Sequence, residues 1–465
     1  MNAPEPPPDG PGNPAGSGEE AGPGTPGNAT GAPPRRRGPA ARLGPLADRE
    51  FRLYWLAVTL SLVGDYTFRV AFITYIITVS GSPATLALAT TALLVPPLVF
   101  YLVGGVTGDR VRSRKHVLVG ADLFRFAALA AMTAAVVTSQ SVTVVIALAL
   151  LIGIGDGFFN PTSFAFLTEI VKKDKLVQAN SANSISRQIG VILGPTLGGF
   201  LLGWYGPGTT FAFDALTFLL SAALIAMIRH RPAGDGERAA RRNVLADATE
   251  GLRYVSGLRW LLVVSLTGAV ANAVFTGNLD VAVPLILAPE GTGQAQYLGL
   301  YYSLQGAGAL VGALILTRLT VTRAGPTMMS MLVLMALALA MVGVIGQSPF
   351  AYLMAVAYGL GLHFFNSTYP SLLQQQVPGP LLGRVGSVVF LSFHGLMPLG
   401  TLLSGPLAAA LGPRGAALWT GAAVAVLALL VMRAPSVRTL TLRNDPGPAA
   451  DRRPEPEPAP GRDQA

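Results

Sequence analysis

Gly105-Val-Thr-Gly-Asp109-Arg110-Val-Arg112-Ser-Arg114-Lys115 interrupts two apolar runs, residues 84–107 and 117–138. Each run is long enough to cross about 30 Å of hydrocarbon at about 1.5 Å per residue. Five of the loop's eleven residues are charged, four of them basic. A short basic loop between two spans resists translocation, so this one is expected to stay on the cytoplasmic face.

The rest of the chain extends the same pattern. Its 465 residues are 51% hydrophobic and 12% charged, against about 25% charged in soluble domains. Twelve apolar spans are expected, at 52–79, 84–107, 117–138, 141–163, 178–203, 207–228, 259–288, 296–319, 325–345, 348–370, 383–411 and 415–433. The fold class is therefore an all-α polytopic membrane protein. Alternate loops carry the charge: Arg110 to Lys115, Lys172 to Lys175, Arg229 to Arg259, Arg318 with Arg323, and Arg384. The loops between them are nearly bare, with Arg414 the one basic residue on that side. Both termini and the charged loops are thus expected in the cytoplasm of a cell-membrane protein. This placement also accounts for the net charge of +9, so no nucleic-acid partner is expected.

Residues 1–34 hold ten Pro and eight Gly and no Leu, Ile, Val or aromatic residue. Such a segment buries too little apolar surface to order itself. The expected division is a disordered tail over 1–46, a six-helix bundle over 47–228, a cytoplasmic linker over 229–258, a second bundle over 259–434 and a disordered tail over 435–465. Within the linker, Leu245 to Tyr254 has helical spacing with its charges on one face and suits the membrane surface. An internal repeat supports the division. Gly153-Ile-Gly-Asp156-Gly-Phe158-Phe-Asn160-Pro-Thr matches Gly359-Leu-Gly-Leu-His363-Phe-Phe-Asn366-Ser-Thr at an offset of 206, with six of ten positions identical. Gly194 and Gly199 pair with Gly400 and Gly405 at the same offset. Repeated helix bundles are a device of transporters that rock about a central site.

Chemistry within the membrane is limited to a few residues. There is no cysteine and there are four histidines, so no metal, disulfide or cofactor is expected. No paired carboxylates or Ser-His pair appears in any one span, and an enzyme is not expected. Each intramembrane charge costs at least ~2.5–3.5 kcal/mol at the bilayer centre and needs a partner or a water-lined path. Asp65 lies near the middle of span 1, with Arg69 one turn further on, so the two can pair at i,i+4. Asp280 accompanies Asn272 and Asn278 in span 7. Asp156 sits between two glycines in span 4, and Asp214, near the outer end of span 6, reads as structural. His363 and His394 are the histidines within spans. Tyr66, Phe158, Asn160, Gln305, Asn366 and the residues just named are candidates for a mostly apolar cavity. Glu169 and Arg187 flank the 4–5 loop and could join a network with the 2–3 loop.

The pattern G-x-x-x-D-R-x-x-x-R-K at Gly105 to Lys115 resembles the 2–3 loop signature of the major facilitator superfamily. Followed by Asp122 and Arg125, it is similar to the subgroup that contains the enterobactin exporter and macrolide-efflux proteins. In span 5, Gly190-x-x-x-Gly194-Pro195-x-x-Gly198-Gly199 resembles the motif associated with exporters of that superfamily. The resemblance implies two pseudo-symmetric six-helix bundles. It also implies a cytoplasmic gate formed by Gly105, Asp109, Arg110 and Arg114 against Arg384, and a cavity lined by spans 1 and 7. Span 4 lacks the R-x-x-x-G element of drug–proton antiporters. The expected function is a monomeric secondary transporter exporting a small amphipathic molecule against protons, with Asp65, Arg69, Asp156 and Asp280 as coupling residues. The alternatives are a lysophospholipid flippase, a solute importer or a membrane sensor that has lost transport.

Overall fold

The computed structural model describes residues 44–110, 113–138, 141–172, 175–229 and 244–442, with side chains apart from those of 102–110, 244–248 and 379–380. No strand occurs among them. The helices are α1 (Arg49–Ser80), α2 (Pro83–Arg110), α3 (Arg114–Val137), α4 (Val142–Ile170), α5 (Leu176–Ala226), α6 (Val244–Gly257), α7 (Arg259–Gly277), α8 (Ala295–Leu316), α9 (Ala324–Ile345), α10 (Pro349–Gln376), α11 (Gly379–Gly395) and α12 (Met397–Arg433). Beyond α7 the chain continues through a π turn, Asn278–Ala282, into a short helix, Val283–Leu287. All twelve apolar runs seen in the sequence fall on helix. Among the described residues, nine helical stretches are long and apolar enough to cross a membrane.

Two of those stretches are double. The 51 residues of α5 are far more than one crossing needs. It loses helical geometry at Gly206 (φ 79°), which is followed by Pro207. In α12 the same break falls at Gly412 (φ 73°), followed by Pro413. Only glycine takes a positive φ without steric cost, and proline favours the first position of the helix that follows. The two Gly-Pro breaks are 206 residues apart, the offset of the sequence repeat.

Packing repeats as well. In the first half α1 packs on α5, α2 on α4, and α3 on both α4 and α5. In the second half α7 packs on α12, α8 on α10, and α9 on both α10 and α12. Lipid supplies no hydrophobic drive between helices, so small residues that let backbones close up carry the association. A Cβ added to Gly308 would lie 2.2 Å from the Val356 carbonyl oxygen, and one on Gly359 would lie 1.9 Å from that of Gln305. Large apolar side chains such as Phe164, Leu353 and Trp419 point outward, as a surface solvated by acyl chains requires.

Both ends differ from expectation. Gly44–Ala47 forms a 3-10 turn ahead of α1. Residues 435–442, expected within the disordered tail, fold back onto the start of α9. Pro435–Arg438 is helical, Val437 is fully buried, and Leu442 N–H donates to the Thr322 carbonyl at 3.0 Å. Apolar Val437 and Leu440 drive this by covering Gly325. The remainder of both tails lies outside the described residues. In the linker, the expected helix is α6, and it rests on α11. Gly251 abuts the Arg384 carbonyl, and Arg384 Nη1 donates to Glu250 at 2.5 Å.

Candidate functional site

Arg69 sits on the part of α1 that meets the second half of the molecule. Its partner is not Asp65, as i,i+4 spacing suggested, but Asp280, to which Nη2 donates. The π turn explains how Asp280 reaches it. One extra residue per turn swings Asp280 off the regular face of α7 and frees backbone carbonyls, a common feature of functional helices. Tyr302 on α8 donates its hydroxyl to one of them, that of Leu279. Asn278 donates to the Val274 carbonyl at 3.0 Å and to Thr420 Oγ1 at 2.8 Å. Asn278 and Asp280 are thus held in place by hydrogen bonds and an ion pair.

Other contacts between the two halves lie from the middle of the bundle to the end with charge-poor loops. Thr292 N–H donates to Thr78 Oγ1 at 2.9 Å. Thr196 and Ser303 hydroxyls are 2.7 Å apart, and Gln188 donates to the Gly306 carbonyl at 2.6 Å. Gly405 of α12 presses on Pro83 and Ala87 of α2. Closer to the charged loops, Tyr101 and Phe390 rings meet at 6.3 Å.

The glycine motif of α5 serves two partners at once. Gly190, Gly194 and Gly198 receive α1 at Leu62, Tyr66 and Thr67, and Thr67 Oγ1 donates to the Gly194 carbonyl at 2.9 Å. Gly199 and the Pro195 carbonyl receive α8: a Cβ on Gly199 would be 2.9 Å from Gln296 Cα, and one on Gly299 would be 2.3 Å from Pro195 O. The motif therefore binds α5 to its own half and to the opposite half along adjacent faces.

Three of the expected cavity residues come together. Asn272, Asn366 and His394 border a cavity of about 360 Å³ between α7, α9, α10 and α11. Its walls are aromatic: the Phe365 and Tyr369 rings stack at 6.0 Å, and Tyr369 meets Phe393 at 5.2 Å. Asn272 spends its amide on the Phe393 carbonyl at 2.7 Å, close to the break between α11 and α12. His394 stacks on Phe390 at 4.1 Å. The other candidates lie elsewhere. Tyr66 packs on α5, Phe158 on Phe100 of α2 at 5.7 Å, and Gln305 against Gly359 of α10. Asn160 donates back to the Asp156 carbonyl at 3.0 Å, and His363 meets Ser367 at 3.2 Å.

At the charged end, Arg114 donates to Glu169, which joins the start of α3 to the end of α4. Lys115 Nζ reaches the Ile228 carbonyl at 2.8 Å. Arg187 is exposed. Gly105, Asp109 and Arg110 are on α2, but their side chains, like all of Arg112, lie outside the described residues.

A cluster in the first half was not recognised as a site from sequence. Arg125 is 2% exposed and donates Nη2 to Asp122 and Nη1 to Asp156, the latter at 2.7 Å. Asp122 also accepts from Ser221 at 2.7 Å. Phe159 and Phe218 cover the guanidinium at 4.3 and 4.2 Å. The signal available was Asp122-x-x-Arg125 within an apolar span, where i,i+3 spacing pairs them. Asp214 is 1% exposed and sits against Gly64, consistent with a structural role.

The profile of the transmembrane secretion effector family, a branch of the major facilitator superfamily, matches residues 40–456. Macrolide efflux protein A of Streptococcus pyogenes is 24% identical over 85% of this chain and 98% of its own. Multidrug efflux pump Tap of Mycobacterium tuberculosis is 27% identical over 84% and 94%, and enterobactin exporter EntS of Escherichia coli is 25% identical over 82% and 91%. Among solved structures, the nucleoside transporter NupG superposes with a TM-score of 0.67 at 15% identity, covering 82% of this chain and 98% of that one. An auto-inhibited POT family peptide transporter superposes with a TM-score of 0.66 at 14% identity, covering 86% and 99%. The chain is a multi-pass membrane transporter, not an enzyme, and belongs to the transmembrane secretion effector family of the major facilitator superfamily.

Proposed function

We propose that this protein exports a small amphipathic organic molecule from the cytoplasm by alternating access, driven by proton influx, through twelve spans in two bundles. The efflux proteins among its relatives support the direction and the substrate class. The aromatic, carboxylate-free cavity between α7, α9, α10 and α11 suits a ring-bearing molecule better than a sugar or an inorganic ion.

The observation that carries the reading is the ion pair between Arg69 and Asp280, which links the two halves. With charge-rich loops in the cytoplasm, this pair and the Thr78–Thr292 contact seal the outer side. Export requires that seal to open. When α1 leaves the π turn, Arg69 loses Asp280 and has Asp65 one turn below it on its own helix as a replacement. The change of partner keeps the guanidinium paired in both states, which lowers the cost of opening.

Everted membrane vesicles carrying a proton gradient test this. Adding a macrolide or a catecholate siderophore should dissipate the gradient when the protein is present, and Asp65→Asn and Asp280→Asn should each weaken the response. A gradient that neither compound disturbs would overturn the antiport reading for these classes.

A further inference from the structure

The sequence repeat provides an internal control for the buried charges. In the first half, a Cβ on Gly155 would meet Arg125 Cγ at 2.4 Å and the Ala121 carbonyl oxygen at 3.5 Å. In the second half, a Cβ on Gly361 would meet Met335 Cγ at 2.8 Å and the Met331 carbonyl oxygen at 3.0 Å. Gly155 and Gly361 are repeat partners, so Arg125 stands where the other half has Met335. By the same registers Asp122 stands for Leu332, Asp156 for Leu362, and Phe159, under the guanidinium, for Phe365. One fold position is thus filled twice, once by a charged triad and once by apolar side chains of similar length. Apolar replacements of buried ion pairs are often neutral or stabilising. Packing alone does not call for the triad.

The replaced residues have a common location. Leu332, Met335, Leu362 and Phe365 all line the cavity of the second half. The two halves therefore divide the work: the position that is apolar and hollow in one is charged and filled in the other.

Within the triad the two carboxylates are unequal. Asp122 has no exposed side-chain surface and accepts from both Arg125 and Ser221. Asp156 is 29% exposed and, among the described hydrogen bonds, its carboxylate accepts from Arg125 alone. One guanidinium balances one carboxylate, so the second is an excess charge in the membrane, and Asp156 is the one that faces outward from the cluster. Arg125 cannot follow it, being clamped by two rings and by Gly155, and its Nε has no acceptor among the described residues. The other charged or titratable groups around are Asp65 from α1, Tyr101 from α2 and Asp214 from α5. None of these adds a positive charge.

We propose that Asp156 binds the coupling proton, with Arg125 as its positioning residue and Asp122 as the fixed counter-ion. This rests on the proton-antiport reading above. In the step, a carboxylate oxygen of Asp156 takes a proton from hydronium on the open side, leaving water. The bond from Arg125 Nη1 loses its charged acceptor, and the cluster becomes neutral as Arg125 with Asp122. Because Asp156 is on α4, flanked by Gly153 and Gly157, which press on Pro97 and Phe100 of α2, loosening this bond releases α4 and α2 from α3.

Infrared difference spectroscopy of the full-length protein in liposomes, acid minus neutral, reads carboxyl protonation without a substrate. The expected result is a protonated-carboxyl component that Asp156→Asn abolishes and Asp280→Asn leaves in place. A spectrum unchanged by Asp156→Asn would overturn the proposal. The triple variant D122L/R125M/D156L, which copies the second half, should fold with a melting temperature near that of the parent. If it does not, the charges are needed for the fold and the proposal fails. Should the Asp156 component be present while no compound dissipates the vesicle gradient, the antiport reading falls and the protonation site stands.

Discussion

Arg69 and Asp280 are 211 residues apart in the chain and meet through one charge-assisted contact between the two halves. Asp280 is 2% exposed at its side chain while Arg69 is 42% exposed. The contact is thus buried at the carboxylate and exposed at the guanidinium.

Removing the latch should shift the conformational balance. Hydrogen bonds to charged groups contribute about 1.5–3 kcal/mol, so Asp280→Asn should raise the population open on the outer side about tenfold or more. The chain has no cysteine, so Thr292→Cys introduced alone reports accessibility. Thiol labelling of Thr292→Cys from outside should be faster in the Asp280→Asn background. Equal labelling in both would remove the latch.

The two-sided packing of α5 predicts where small residues are indispensable. Gly299→Leu would force a side chain into the Pro195 carbonyl, and overpacking costs about 1–3 kcal/mol. It should abolish transport while the protein still inserts. Gly120→Leu, where nothing lies within 4 Å of an added Cβ, should change neither transport nor melting temperature by much. Vesicle transport and thermal unfolding in detergent compare the two.

Ser221→Ala should reveal the burial of Asp122. The loss of one hydrogen bond to a fully buried carboxylate should lower stability by about 1–3 kcal/mol, visible as a lower unfolding temperature in detergent. By contrast, Glu250→Gln at the α6–α11 contact, where the partners are 29% and 41% exposed, should cost no more than about 1 kcal/mol.

The aromatic cavity predicts substrate effects confined to binding. Tyr369→Ala removes a stacked wall of the cavity and the contact with Ser265 at 3.1 Å. Ring-stacking contacts of this kind are worth about 0.5–1.5 kcal/mol beyond area, so affinity for a ring-bearing substrate should fall by about two- to tenfold. Fluorescence titration with a macrolide or an aromatic dye checks this, and unchanged affinity would place the substrate elsewhere.

Much of the architecture was legible in the residue order. Hydropathy marked the long apolar helices because a lipid-exposed helix must be apolar along its length. The 206-residue repeat marked the two halves, and Gly206-Pro207 and Gly412-Pro413 extended it into the turns. The span-5 glycines were legible as a contact face, although their second partner, α8, was not. The tail boundary was misplaced because Val437 and Leu440 are short of a recognisable run yet find a buried seat against Gly325.

The sites were less legible. Sequence spacing offered Asp65 to Arg69, since i,i+4 neighbours share a helix face whatever surrounds them. The π turn at Asn278–Ala282 gave Arg69 to Asp280 instead, and it has no local signature. Likewise the i,i+3 spacing of Asp122 and Arg125 offered a pair that was not read from the sequence, and Asp156, Ser221 and the two phenylalanine rings join them only when α3, α4 and α5 pack. The sequence by itself determined which segments are helices in lipid and that they come in two related sets, because those properties depend on composition and local spacing. Which intramembrane charges neutralise one another was decided by the tertiary structure alone, because a buried charge pairs with whatever group packing brings within hydrogen-bond reach, however distant in the chain.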